Sequence, residues 1–123
     1  MDSLSADAIA EEWLLKWSSG KAVKDAYSAL DFELPRKQPD LCLAAILKVL
    51  ERIDTTSPNE VLGDLAAGPL EDLLSYNGDH VVDQVDLLAR RDPSFRLLLN
   101  GVWDSSIAPD VLSRLAKYRG SRW

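Results

Sequence analysis

The chain has a single cysteine and a single histidine among its 123 residues. With only Cys42, no intrachain disulfide can form, and such chains belong by default to reducing compartments. The first residues, Met1-Asp2-Ser3-Leu4-Ser5, lack the basic-then-apolar pattern of a secretion signal. The expectation is a cytoplasmic protein. Long apolar runs are missing too. The longest, such as Leu43 to Leu47, fall far short of the roughly 20 residues that cross a bilayer, so no membrane partner is expected. Glycines are scattered. Gly63, Gly68 and Gly78 are too far apart for a phosphate loop, and no Gly-Lys-Ser/Thr follows them. Positive charge is scarce, with 14 Lys and Arg against 20 Asp and Glu, a net charge of −6. Phosphate attraction needs clustered bases, so nucleic acid is excluded as an expected partner. Almost no stretch alternates with period two, so strands are not expected.

What remains is a globular composition, 46% apolar and 28% charged. This length suits one domain spanning residues 1–123, with a core of its own. The chain is organised around Ser57 to Trp103, and within it around Leu65-Ala66-Ala67-Gly68-Pro69-Leu70-Glu71-Asp72-Leu73-Leu74. Gly68 suits a left-handed residue after a helix end, and Pro69 the first position of the next helix. Upstream, Ser57-Pro58-Asn59-Glu60 reads as a capping box with Ser57 at the N-cap. Downstream, Asn77-Gly78 reads as a stop, and a new helix is expected over Asp79–Arg91. Asp92 caps the next, where Phe95, Leu98 and Leu99 share a face.

The flanks follow the same rule. Ser5 begins a first helix whose apolar stripe is Ile9, Trp13 and Trp17. A short helix over Ala22–Leu30 follows the Ser18-Ser19-Gly20 stop. Asp31 to Pro39 reads as a surface loop bracketed by Pro35 and Pro39. Asp40 caps a helix to Ile53. A last helix covers Pro109–Tyr118, and the tail from Arg119 to Trp123 reads as frayed, with Trp123 either loose or docking that basic tail. The fold class is all-α: a compact bundle of six to eight short helices, with stacked helical hairpins as the alternative.

The run Leu65 to Leu74, then Asn77-Gly78, Asp83, Ala89-Arg90, Asp92-Pro93-Ser94-Phe95-Arg96 and Gly101-Val102-Trp103, resembles a family of small bacterial proteins catalogued as a domain of unknown function. Glu12-Trp13-Leu14 is similar to the Trp-containing first helix of its members. The resemblance extends over nearly the whole chain and implies a bacterial, cytoplasmic, helical protein. It brings no activity, cofactor or catalytic residue.

Chemistry-bearing residues are few. A Cys42–His80 dyad needs the fold to join two distant residues, and Cys42 sits in the first turn of an apolar helix, where an inert thiol is common. His80 and Asp83 give one His-x-x-Asp without the second copy that di-metal bundles use. No catalytic residue, metal site or cofactor is assigned, and the chain reads as a non-enzyme. The charge is uneven, however. Asn59 to Ala89 holds seven acids and no Lys or Arg, whereas Pro93 to Trp123 holds five bases and two acids. Asp79, Asp83 and Asp86 lie at i, i+4 and i+7, opposite Val82, Val85 and Ala89, and are expected to face water. Like charges at this spacing repel by about 0.2–0.5 kcal/mol per pair. The surface expected to meet a partner is therefore Glu71, Asp72, Asp79, Asp83, Asp86 and Trp103, and the expected partner is a basic protein. Trp103 reads as a core plug or as a binding anchor. Glu71 is expected to form a salt bridge with Arg96 or Arg90 that fixes the Gly68-Pro69 joint. The favoured function is a small acidic protein-binding module, in its specific form an immunity-type inhibitor of a basic toxin, acting as a monomer or weak homodimer. An enzyme with a carboxylate site, or a homo-oligomeric regulatory subunit, is the alternative.

Overall fold

A computed structural model describes residues 5–17, 28–120 and 123. The described residues are helical, without strands. Helix α1 is Ala6–Trp17. Ser5 starts it, its Oγ accepting from Ala8 N at 3.1 Å. Ile9, Ala10, Trp13 and Lys16 turn inward. The expected Ser18-Ser19-Gly20 stop lies outside the described residues, as does most of the Ala22–Leu30 helix.

The supposed loop after it is two helical turns, α2 (Ala29–Phe32) and α3 (Leu34–Lys37). Pro35 explains the difference, because a proline in the first turn of a helix gives up no hydrogen bond the helix would have made. Helix α4, Pro39–Leu50, begins two residues earlier than expected. Pro39 takes the first helical position, which moves Asp40 from the cap into the first turn. Cys42, Leu43, Ala45, Ile46, Val49 and Leu50 are buried, and α4 packs along α1.

Helix α5 is Glu60–Leu65. Its N-cap is Asn59, not Ser57: Asn59 Oδ1 accepts from Leu62 N at 2.9 Å. The same amide donates to the carbonyls of Asp54 and Ser57, so Asn59 closes the turn before the helix as well as capping it. Beyond Leu65 the chain does not stop. Ala66–Leu70 forms a π-helical turn that runs straight into α6, Glu71–Arg91. Pro69 has no N–H and crowds the carbonyl four residues back, and a widened turn accommodates both. Gly68 does not adopt a left-handed backbone, contrary to expectation.

Asn77-Gly78 also fails to stop the helix. Asn77 leaves helical geometry (φ −136°, ψ 29°) and kinks α6 without ending it. Its side-chain amide donates to the carbonyls of Pro35 and Arg36, at the end of α3. Gly78 is buried under Val111, which a Cβ there would meet at 3.0 Å. Helix α7, Pro93–Leu99, starts as expected, with Asp92 Oδ1 accepting from Ser94 N. Helix α8 is Pro109–Leu115, followed by a 3-10 turn at Ala116–Tyr118. Helix α6 is the axis on which α3, α4, α7 and α8 pack. The buried side chains form one cluster that includes Trp13, Leu30, Ile46, Leu65, Leu73, Val85 and Phe95.

Candidate functional site around Trp103

The first turn of α6 sends two neighbouring acids in different directions, since adjacent residues on a helix point about 100° apart. Asp72 lies within reach of the charges of Arg36 on α3 and Asp31 on α2. Glu71 faces the loop after α7, where its Oε1 accepts from Trp103 N at 3.1 Å. The expected salt bridge of Glu71 with Arg96 or Arg90 is not what the structure holds. Arg96 Nη1 instead donates to the carbonyls of Ala89 and Arg90, at the end of α6. Those carbonyls lack helical partners, and a guanidinium in reach satisfies them.

Trp103 is held at its backbone and free at its ring. Its side chain is 68% exposed, so it is no core plug. Around it the loop is fixed on several sides. Arg119 is buried and donates to Asp104 Oδ1 and to the carbonyl of Val102. Asn100 donates through Nδ2 to the carbonyls of Arg96 and Tyr118. Trp123 N donates to Asn100 O, and the Trp123 indole donates to Leu97 O at 2.9 Å. The tail is therefore docked at Arg119 and Trp123, not frayed; residues 121 and 122 lie outside the described set. The docking needs glycine. A Cβ on Gly101 would lie 2.8 Å from the Trp123 ring and 2.9 Å from Ala66 Cβ. Asn100, Val102, Trp103, Asp104 and Trp123 together line an open cleft of about 360 Å³.

The other expected acids do not converge on this cleft. Asp86 was expected in water but is 7% exposed. The 3.6-residue period predicted the wrong side because α8 covers that face of α6. Asp86 accepts from Arg114 and Tyr118 and pairs with Arg90 at 3.6 Å. The Tyr118 hydroxyl, then Arg114, hold its carboxyl below the usual range. Asp83 is exposed and also bound by Arg114, at 2.9 Å. Asp79 is exposed and lines a separate cleft of about 470 Å³ with Asp110, Val111 and Arg114. The acidic run is thus partly neutralised by bases from the C-terminal third of the same chain.

A polar cluster not anticipated from the sequence lies on the other side of α6. Asp31 Oδ1 accepts from the Trp13 indole at 3.0 Å, and Oδ2 from Lys16 and from the Trp17 indole, each at 2.9 Å. Lys16 is itself buried, over the Trp17 ring. The signal was present. Two tryptophans on a buried stripe need acceptors for their N–H groups, and Asp31 supplies one for both. Asp72, half-buried beside this cluster, has its carboxyl pushed up, first by burial and then by the charge of Glu71. Cys42 is fully buried and its thiol is pushed up to about 12, again chiefly by burial, which makes it a poor nucleophile. His80 is paired with Asp40 at 3.0 Å on the surface. Among the described residues, no three His, Cys, Asp or Glu side chains are placed to hold a metal ion, and no helix is long and apolar enough to cross a membrane.

Comparison with known proteins bears on the whole chain more than on any one residue. The model of a family of unknown function, DUF6869, matches residues 17–122. The chain belongs to that family. The match takes in the Trp103 loop, Glu71 and the whole of α6, and leaves out Glu12-Trp13-Leu14. Searches of curated proteins and of solved structures found no match.

Proposed function

We propose that this DUF6869 chain is a protein-binding module whose contact surface centres on Trp103. The observation that carries the reading is an indole 68% exposed on a loop whose backbone is hydrogen-bonded to Glu71, Arg119 and Trp123. An exposed tryptophan on a fixed frame loses little freedom when a partner covers it, and tryptophan is the residue most enriched among binding hot spots.

The partner we favour is a basic protein, drawn in by the net charge of −6. In its specific form the reading is an immunity-type inhibitor, active in the cytoplasm against a basic toxin. The acids left to steer such a partner are Asp79 and the wider surface, because Asp83 and Asp86 are engaged by Arg114. The test is co-expression with the products of neighbouring genes, followed by co-purification and a growth assay. Trp103→Ala should weaken capture by about 2 kcal/mol or more and lose any protection of growth. A partner held equally by the variant sinks the Trp103 surface.

A carboxylate-site enzyme is the second reading. Asp72 favours it, as a half-buried acid pushed up beside Glu71 and Asp31. Its mark would be a pH-dependent activity that Asp72→Asn abolishes while capture of the partner is kept.

A further inference from the structure

Among the described residues, the half-exposed rings of Phe32 and Tyr76 are covered by the chain's own cations, and the more exposed Trp103 is not. Phe32, half exposed, has Lys16 5.2 Å from its centroid, and Tyr76, also half exposed, has the Arg36 guanidinium at 4.7 Å. Trp103 is more exposed than either, and among the described residues it has no such cation. Indole is the aromatic face that attracts a cation most strongly.

The cleft beside that ring holds a second unused group. Asn100 lines it and is 7% exposed. Both amide hydrogens are committed, to the carbonyls of Arg96 and Tyr118, which fixes which end of the side chain is which. The other end, Oδ1, is a buried acceptor without a partner. Buried acceptors are normally satisfied, so this one asks for an N–H. The local charge favours a cationic donor. Arg119 pairs with Asp104 through Nη1, although its buried Nε has no partner, and Glu71 on the other side of the Trp103 backbone adds a further negative charge.

We propose that the cleft between Trp103 and Trp123 takes an arginine side chain of the partner protein, with its guanidinium stacked on the Trp103 indole and an N–H donated to Asn100 Oδ1. The inference rests on the protein-binding reading above and names the group that reading lacks. Arginine fits better than lysine because a planar guanidinium stacks on a ring face while its edge donates in plane. Oδ1 has essentially no accessible surface, so the guanidinium reaches it after a side-chain shift at the cleft. The cleft's volume of about 360 Å³ is large enough for one long side chain.

The experiment titrates the full chain with acetyl-arginine methylamide at fixed ionic strength and follows the indole and side-chain amide signals by NMR. The neutral citrulline analogue, which keeps the shape and loses the charge, is the control. The expected result is a saturable shift at the Trp103 indole and the Asn100 amide, with citrulline bound about tenfold more weakly. Trp103→Leu should remove the shift at the Asn100 amide and Trp103→Phe keep it, both with the fold intact by circular dichroism. The proposal is overturned by an unsaturable response, by equal binding of citrulline, or by shifts confined to other tryptophans. Loss of partner capture in Trp103→Ala without any arginine response removes this inference and leaves the module. An arginine response with capture unaffected by Trp103 removes the module and leaves a cation site.

Discussion

Four tryptophans occupy two sites, and the two sites use them in opposite ways. At the first, Trp13 and Trp17 lie with ring centroids 6.0 Å apart and send both indole N–H groups to one carboxylate, Asp31. Lys16, with a side chain only 4% exposed, is a third partner of that carboxylate among the described residues. At the second, the backbone around Trp103 is hydrogen-bonded and the Trp103 ring is left in solvent. The first site spends its hydrogen bonds on burying indoles. The second spends them on holding a loop so that an indole stays out. Residue type therefore did not decide the role here; the location of the acceptor did. A single helical turn serves both, since Asp72 lies within reach of the charge of Asp31 at the first site and Glu71 holds the second.

The largest effect should come from breaking the first site. Asp31→Ala leaves a buried lysine unpaired and two indole N–H groups without acceptors. Removing one partner of a buried pair destabilises by about 3–5 kcal/mol. Urea unfolding followed by circular dichroism should show the midpoint fall accordingly. A loss under about 1 kcal/mol would mean that water replaces Asp31 at little penalty, and the contrast between the sites would dissolve.

Next comes the seat of Trp123. Gly101→Ala puts a Cβ where the Trp123 ring and Ala66 already sit. Overpacking of this kind destabilises by about 1–3 kcal/mol. The Trp123 emission should also shift towards that of a solvent-exposed indole. An unchanged spectrum with unchanged stability would show that the tail docks too loosely to frame the Trp103 cleft.

The class of fold was legible because apolar residues recur at helical spacing from Ile9 to Leu115. The caps at Ser5 and Asp92 were legible because each needs only a side-chain oxygen and a nearby N–H. The breaks at Gly68-Pro69 and Asn77-Gly78 were misread for a shared reason. Local propensity measures what a residue favours alone, and in both places tertiary contacts override it. Asn77 leaves helical geometry where its amide meets the end of α3, and the π turn carries Pro69 inside a continuous rod. The acidic face failed differently. Spacing told that Asp79, Asp83 and Asp86 share a side of α6, and could not tell that α8, some 20 residues further on, would bring Arg114 to that side. Glu71 and Trp103 were both singled out from the sequence, but their hydrogen bond spans 32 residues and no local pattern encodes it.

A smaller effect probes the electrostatics of the first site. Asp72 titrates above the ordinary carboxylate value of about 3.9, through burial first and Glu71 second, whereas Asp86 on the same helix titrates below it. The signs oppose. Asp72's charge weakens the fold above its raised value, and that penalty disappears as pH falls towards 3.9. Asp86's charge strengthens the fold above 3.9, and that contribution is lost as pH falls through its lowered value. Asp72→Asn should therefore stabilise the protein at neutral pH, by up to about 1 kcal/mol after solvent screening, and lose the gain in acid. Asp86→Asn should do the reverse. Melting temperatures at pH 7 and pH 3.5 separate the two, and a destabilising Asp72→Asn at pH 7 would show that this carboxylate is engaged as a hydrogen-bond acceptor after all.

The smallest effect on stability is the one that sharpens the comparison most. Trp103→Ala removes the most exposed aromatic ring among the described residues and keeps the hydrogen bond to Glu71, because Glu71 holds the backbone N–H, which alanine retains. Stability should change by less than about 0.5 kcal/mol, as for surface positions generally. Tryptophan emission should lose its most solvent-exposed component with the rest unmoved. If the variant instead unfolds several degrees earlier, the ring supports the loop it stands on, and Trp103 belongs with Trp13 and Trp17 as a structural residue. If stability holds, the Trp103 ring is dispensable to the fold, and it stands apart from Trp13 and Trp17 as a ring that a partner can cover without unfolding anything.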